Sequence, residues 1–120
     1  MQFINLTPHS ITIRRTGKLA DVLLDDIIVP PSGTVARVTT TETLVSDAEG
    51  VRVIHREMGR ATGLPRKADG SHDTTVAVLV SSMVLAAVPG RPNTYAPDSG
   101  PSAIRDTAGN VIAVTQLVAA

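Results

Sequence analysis

With 120 residues, 42% of them hydrophobic, the chain has the length of a single domain (1–120) and enough apolar side chains to build a core without staples. The absence of cysteine excludes disulfides, thiolate metal sites and a cysteine nucleophile together. Eleven basic residues balance eleven acidic ones with no basic block, which excludes bulk nucleic-acid binding, an affinity that comes from phosphate neutralisation.

The N-terminal stretch Met1 to Arg15 lacks a basic region followed by a long apolar run, and no segment approaches the length of a spanning helix. These features lead us to expect a cytoplasmic protein without membrane partners. Nine of the eleven basic residues are arginine, whose forked guanidinium suits phosphate and carboxylate.

In chain order, Met1 to Asn5 reads as a short strand and Leu6 to His9 as a turn, since Pro8 forces Thr7 into extended geometry. Ser10 to Arg15 alternates Ile11 and Ile13 with polar residues, the mark of a half-buried strand. A turn is expected at Thr16-Gly17-Lys18. Leu19 to Val29 returns as a strand broken at Asp25-Asp26, where adjacent carboxylates mark a bulge or a solvated turn.

Pro30 to Gly33 punctuates the chain, and Thr34 to Val45 follows as a strand with one solvated face. Asp47 to Gly50 reads as a hairpin turn leading to a strand over Val51 to Arg56. Met58 to Pro65 is expected as an irregular return and Arg66 to Asp73, without large apolar residues, as a mobile loop.

Thr74 to Val80 is a continuous, β-branched apolar run and reads as a central strand. Ser81 or Ser82 caps a two-turn helix over Met83 to Val88, closed by Pro89-Gly90. This helix is apolar on every side, which predicts burial in the core or against another subunit. Pro89 to Pro101 holds four prolines and two glycines and reads as a surface loop able to carry function. A last hairpin follows, Ser102 to Arg105 and Asn110 to Val118 around Asp106 to Gly109. The whole predicts a mainly β (α+β) fold: one small antiparallel, barrel-like sheet domain with a single short apolar helix.

No P-loop or dinucleotide fingerprint is present, so no cofactor is expected. His9, His55 and His72 lie in separate segments without ligand spacing, and no metal site is expected either. The residue types suited to a small phosphorylated ligand concentrate around the helix and the loop after it. Ser81 and Ser82 open the helix N-terminus, Arg91 and Arg105 bracket the loop, Arg37 stands beside the Pro-Pro-Ser-Gly turn, and Tyr95 offers a ring to a base. Asn93, Asp98 and Ser99 complete the candidate set, though Asp98 to Pro101 also has the form of an Asx turn, and Arg105 of a staple to Asp98 or Asp106.

The segments Asn5-Leu6-Thr7-Pro8-His9, Pro31-Ser32-Gly33 with Val35-Ala36-Arg37-Val38, Gly63-Leu64-Pro65, and Pro97 to Pro101 followed by Ile104-Arg105-Asp106 resemble a family of small uncharacterised proteins of bacterial and phage genomes. By type, the chain is also similar to the phage anti-defence sponges, compact oligomers that sequester cyclic nucleotides or ADP-ribose-derived immune signals without cleaving them. That analogy implies a homo-oligomer in which Arg37, Arg91 and Arg105 meet phosphates, Tyr95 stacks on a base, and Asp98 or Ser99 reads a ribose hydroxyl. Two alternatives stand beside it: a phage structural or assembly protein acting through protein contacts, and a small hydrolase using Asp98, Ser99 or His9.

Overall fold

The computed structural model describes residues 2–15, 18–19 and 22–120. Five short strands open the chain: β1 (Phe3–Asn5), β2 (Ile11–Ile13), β3 (Lys18–Leu19), β4 (Val22–Leu23) and β5 (Ile27–Val29). Two 12-residue strands follow, β6 (Arg37–Ala48) and β7 (Val51–Thr62). The remainder comprises β8 (Ala77–Leu79), the helix α1 (Ser82–Ala87), β9 (Thr94–Pro97), β10 (Ile104–Arg105), β11 (Val111–Ala113) and β12 (Leu117–Ala119). The fold is mostly β with one short helix, as expected, and among the described residues no helix is long and apolar enough to cross a membrane. Of the expected turn at residues 16–18, Thr16 and Gly17 lie outside the described residues.

The apolar run before Ser81 forms the centre. β8 sits between β1 and β9 in a four-stranded sheet of order β1-β8-β9-β12. β1 and β9 run parallel to β8, and only β12 is antiparallel to its neighbour, so the sheet is mixed rather than purely antiparallel. Val78, Leu79 and Val80 have no exposed surface. Because side chains alternate along a strand, Val78 and Val80 face one side of the sheet and Leu79 the other. The first side packs against Leu6, Ala36, Leu64, Val84, Leu85 and Ala96. The second packs against Ile13, Val29 and Val114, with Phe3 and Tyr95 at its margin. A strand covered on both faces needs an unbroken apolar sequence, and this one has it. Each fully buried aliphatic side chain contributes about 1.5–3 kcal/mol.

The helix starts where its cap dictates. Ser81 has extended backbone, and its Oγ accepts a hydrogen bond from the Val84 N–H at 3.3 Å. Only Val84 and Leu85 are buried; Met83 is 49% exposed. The helix therefore lies against the sheet on one face instead of being enclosed on every side. Beyond it, the expected loop from Pro89 to Pro101 contains β9. Thr94 and Ala96 point into the sheet and Pro97 stands at the strand end, where the lost N–H is tolerated.

The largest departure from expectation is a long arm. β6 and β7 pair antiparallel from Arg37↔Thr62 to Ala48↔Val51, so the stretch expected as an irregular return continues as strand to Thr62. Glu49 and Gly50 both have positive φ (58° and 75°), the type I′ turn that matches strand twist. Pairing with β6 overrides the glycine at 59: a β-bulge lies between Val38 and Thr40, and a Cβ on Gly59 would come within 2.5 Å of Thr39 Oγ1. Val38 and Ala61 at the root pack on the core, whereas nearly all of the outer arm is exposed on both faces. The radius of gyration, 17.6 Å, exceeds the roughly 14 Å of a compact chain of this length, and the long axis measures 61 Å.

Residues 66–73, expected as a mobile loop, lie in a hydrogen-bonded turn over 65–73. The Lys67 N–H donates to Ser71 O (2.8 Å) and the Asp73 N–H to Pro65 O (3.0 Å). The closing hairpin, β10 with β11, forms as expected, with the Asp106 N–H donating to Asn110 O at 2.9 Å. The return strand expected to Val118 instead divides, and β12 leaves the hairpin to join the main sheet beside β9. Leu117 packs into the second core cluster, while Val118 on the sheet edge is 44% exposed.

Candidate functional site

The nine candidate residues fall into three places. Arg37 and Ser81 come together at the root of the arm, where they line a cleft of about 270 Å³ with Leu6, Thr7, Met83 and Val84. The cleft lies by the carboxyl ends of β1 and β8, the edge of parallel strands at which open sheets accommodate ligands. The Ala36 N–H donates to Leu6 O at 2.9 Å, and this contact brings the Thr7-Pro8 turn beside Arg37. The Arg37 guanidinium makes no hydrogen bond or ion pair among the described residues. Ser82 is exposed on the first turn of α1. The helix N-terminus itself offers less than expected: it spans six residues, and Ser81 already satisfies one of its N–H groups.

Arg91, expected at a phosphate, is structural. It is 8% exposed. Its Nη1 donates to Thr94 Oγ1 (2.7 Å) and its Nη2 to Pro65 O (3.3 Å) and Asp73 O (3.2 Å). Burial pushes its pKa down, partly offset by the nearby Asp73 carboxylate. The side chain thus clamps the turn 65–73 onto the start of β9. Arg91→Ala is expected to cost about 2 kcal/mol, since hydrogen bonds to a charged group are stronger than neutral ones and two part-buried carbonyls lose a donor. A denaturant titration checks this, and a loss under about 0.5 kcal/mol would return Arg91 to the list of surface arginines.

Tyr95 stands on β9 rather than in a loop. Its ring meets Phe3 edge-on, with centroids 6.2 Å apart and planes at 85°, a favourable arrangement of ring quadrupoles. This contact and its half-buried position remove it as a free stacking platform. Asn93 takes a positive φ of 53°, and its Nδ2 donates to Thr74 O at 2.6 Å. It borders a second cleft of about 490 Å³ with Gln2, Thr75, Val76 and Ala77.

The third group lies beyond β9. Asp98 accepts hydrogen bonds from Gln116 Nε2 (2.6 Å), the Gly100 N–H (3.0 Å) and Ser102 Oγ (3.4 Å). The Gln116 bond and then the Gly100 N–H hold its carboxyl below the ordinary carboxylate value. This is the Asx turn that the local sequence allowed. Arg105 does act as a staple, but to carbonyls: Nη1 donates to Gly109 O (2.8 Å) and Nη2 to Ser99 O (2.7 Å). Asp106 instead accepts the N–H groups of Ala108 and Asn110. Among the described residues Ser99 Oγ has no hydrogen-bonded base.

Of the candidates, then, only Arg37 and Ser81 share a cleft. Thr7 and Met83, which sequence reasoning passed over, line it with them. Their local signals were those of a turn and of an apolar helix, and only the tertiary contact through Leu6 and Ala36 unites them. No group of three or more His, Asp or Glu side chains able to hold a metal comes together among the described residues. Comparisons of the chain with protein families, with curated proteins and with solved structures return no match.

Proposed function

We propose that this chain is a non-catalytic, self-associating binding protein that sequesters a small phosphorylated, nucleotide-derived ligand, after the manner of the phage anti-defence sponges. The observation that carries this reading is Arg37: of the three candidate arginines, it alone keeps its guanidinium free of acceptors among the described residues, at a cleft with an apolar wall of Leu6, Met83 and Val84. An arginine fork on a phosphate is a charge-assisted bond, roughly twice as strong as a neutral one. The exposed arm supports self-association, since a cleft at its root is where a neighbouring subunit would add further ligand groups.

The test is a thermal-shift screen against cyclic di- and trinucleotides, cyclic ADP-ribose isomers and linear ADP-ribose derivatives. A ligand at a thousand times its dissociation constant stabilises the folded state by about 4 kcal/mol. For a domain of this size the shift is on the order of 10 °C. The bound compound is expected back intact after denaturation, and Arg37→Ala is expected to abolish the shift while leaving the unliganded melting temperature unchanged. Absence of a shift with every compound would transfer the reading to an assembly protein, which the arm favours on its own.

A further inference from the structure

At the end of α1 opposite the Arg37 cleft, the fold gathers basic groups that are scattered in sequence. Arg66 and His72 are directly opposed in an antiparallel β-bridge that closes the turn 65–73. Side chains so opposed stand about 5 Å apart at Cβ, and like charges there repel. Arg60, from the root of β7, joins them: with Ala61, Ala87 and Val88, the three residues line a cleft of about 140 Å³. A water occupies about 30 Å³ of liquid, so the space admits a tetrahedral oxyanion with some of its hydration. A larger cleft of about 440 Å³ shares His72 and contains Arg91.

The two carboxylates of the turn are held by neutral donors and form no ion pair with Arg60, Arg66 or His72. Asp69 accepts the Ser71 N–H and hydroxyl (2.9 and 2.6 Å), and Asp73 the Thr75 N–H and hydroxyl (3.1 and 2.6 Å). The ion pairs of the described residues involve Arg14, His55 and Arg56, and none of them Arg60, Arg66 or Arg91. Arg66 uses Nη1 on Gly70 O (2.8 Å). Within the turn Arg66 and Lys67 are matched by Asp69 and Asp73, and Arg60 and Arg91 beside it keep the local balance positive. We infer that Arg60, Arg66 and His72 form an oxyanion site of the phosphate class. Consistent with this, the His72 pKa is lowered, first by desolvation and then by Arg66, Arg91 and Arg60.

The inference is independent of the Arg37 cleft. Its test follows the histidine ring protons of the full chain by NMR as inorganic phosphate is added, with ionic strength held constant by chloride. The His72 signals are expected to move saturably and its pKa to rise as the anion binds, while those of His9 and His55 stay in place. Arg60→Gln with Arg66→Gln is expected to weaken the response at least about tenfold, the loss of a charge-assisted bond. Arg60→Gln alone leaves the turn's hydrogen bonds intact and is expected to weaken it several-fold. Arg37→Ala is expected to change nothing. A His72 response no larger with phosphate than with chloride would overturn the site, as would one that survives both arginine substitutions undiminished.

Discussion

Removing the outer arm is expected to convert a self-associated protein into a folded monomer. Joining Thr41 to Glu57 through Asn-Gly deletes the segment from Glu42 to Arg56 at a register pair, so the shortened strands still meet. The root residues that hold the core, Val38 and Ala61, remain. A two-stranded ribbon is marginal in water by itself, because neither face is covered. Here the register places Leu44 and Ile54 on one face, between the Asp47–Arg52 and Glu42–Arg56 pairs, with Met58 on the same face nearer the root and Val51 and Val53 on the other. Leu44, Val51 and Val53 are each about half exposed or more (50%, 62% and 47%). Apolar residues on both faces of a projecting ribbon, bracketed by charges of both signs, suit contact with another copy of the same chain. Light scattering reads the result. The full chain is expected as an oligomer, and the shortened one as a monomer that still unfolds cooperatively on heating. A full chain that is already monomeric at micromolar concentration would end the self-association reading.

Asn5→Ala is expected to destabilise the fold by about 3 kcal/mol, and to lower the melting temperature by roughly 10 °C. Asn5 is 1% exposed, and its carboxamide uses its full capacity. Nδ2 donates to His9 O (2.7 Å) and Val29 O (2.9 Å), and Oδ1 accepts the Thr7 N–H (2.9 Å) and hydroxyl (2.6 Å). One side chain thereby ties the end of β1 to its following turn and to the end of β5. Truncation takes this donor from the buried Val29 carbonyl and this acceptor from the part-buried Thr7 N–H, each costing about 1–3 kcal/mol before relaxation. Asn5→Asp is the sharper variant. It sets a carboxylate oxygen against two carbonyls, so the folded state favours the protonated acid and raises its pKa. The variant's stability is then highest below the unfolded carboxyl value, about 3.9, and is lost as pH rises through the folded one. Urea titrations across pH measure this. An Asn5→Ala melting temperature within 2 °C of the parent (roughly 0.5 kcal/mol) would mean that water takes the amide's place.

Both expectations rest on features that read differently in one dimension. The segment Asn5 to His9 is visibly a turn, because proline limits its neighbour. Nothing local reveals that Asn5 spans to Val29, 24 residues away. The arm shows the same limit from the other side. Its turn is legible in Glu49-Gly50, but Met58 to Thr62 carries a glycine and weak alternation, and becomes strand only because β6 lies alongside.

The sequence by itself determined the elements whose signals are local. These are the buried strand before Ser81, the serine-capped helix, the Asx turn at Asp98, the closing hairpin and the mainly β character. Each follows from side-chain periodicity, a capping hydroxyl or a restricted φ within a few residues. Tertiary structure alone decided which arginines are spent and which are free. Arg37, Arg91 and Arg105 all stand beside turn residues in the sequence, yet the fold brings carbonyls to the last two and only an apolar cleft to the first. A guanidinium's role is set by the acceptors within about 3 Å of it; Arg91 finds two of its acceptors 18 and 26 residues away, while Arg105 finds both of its own within six residues.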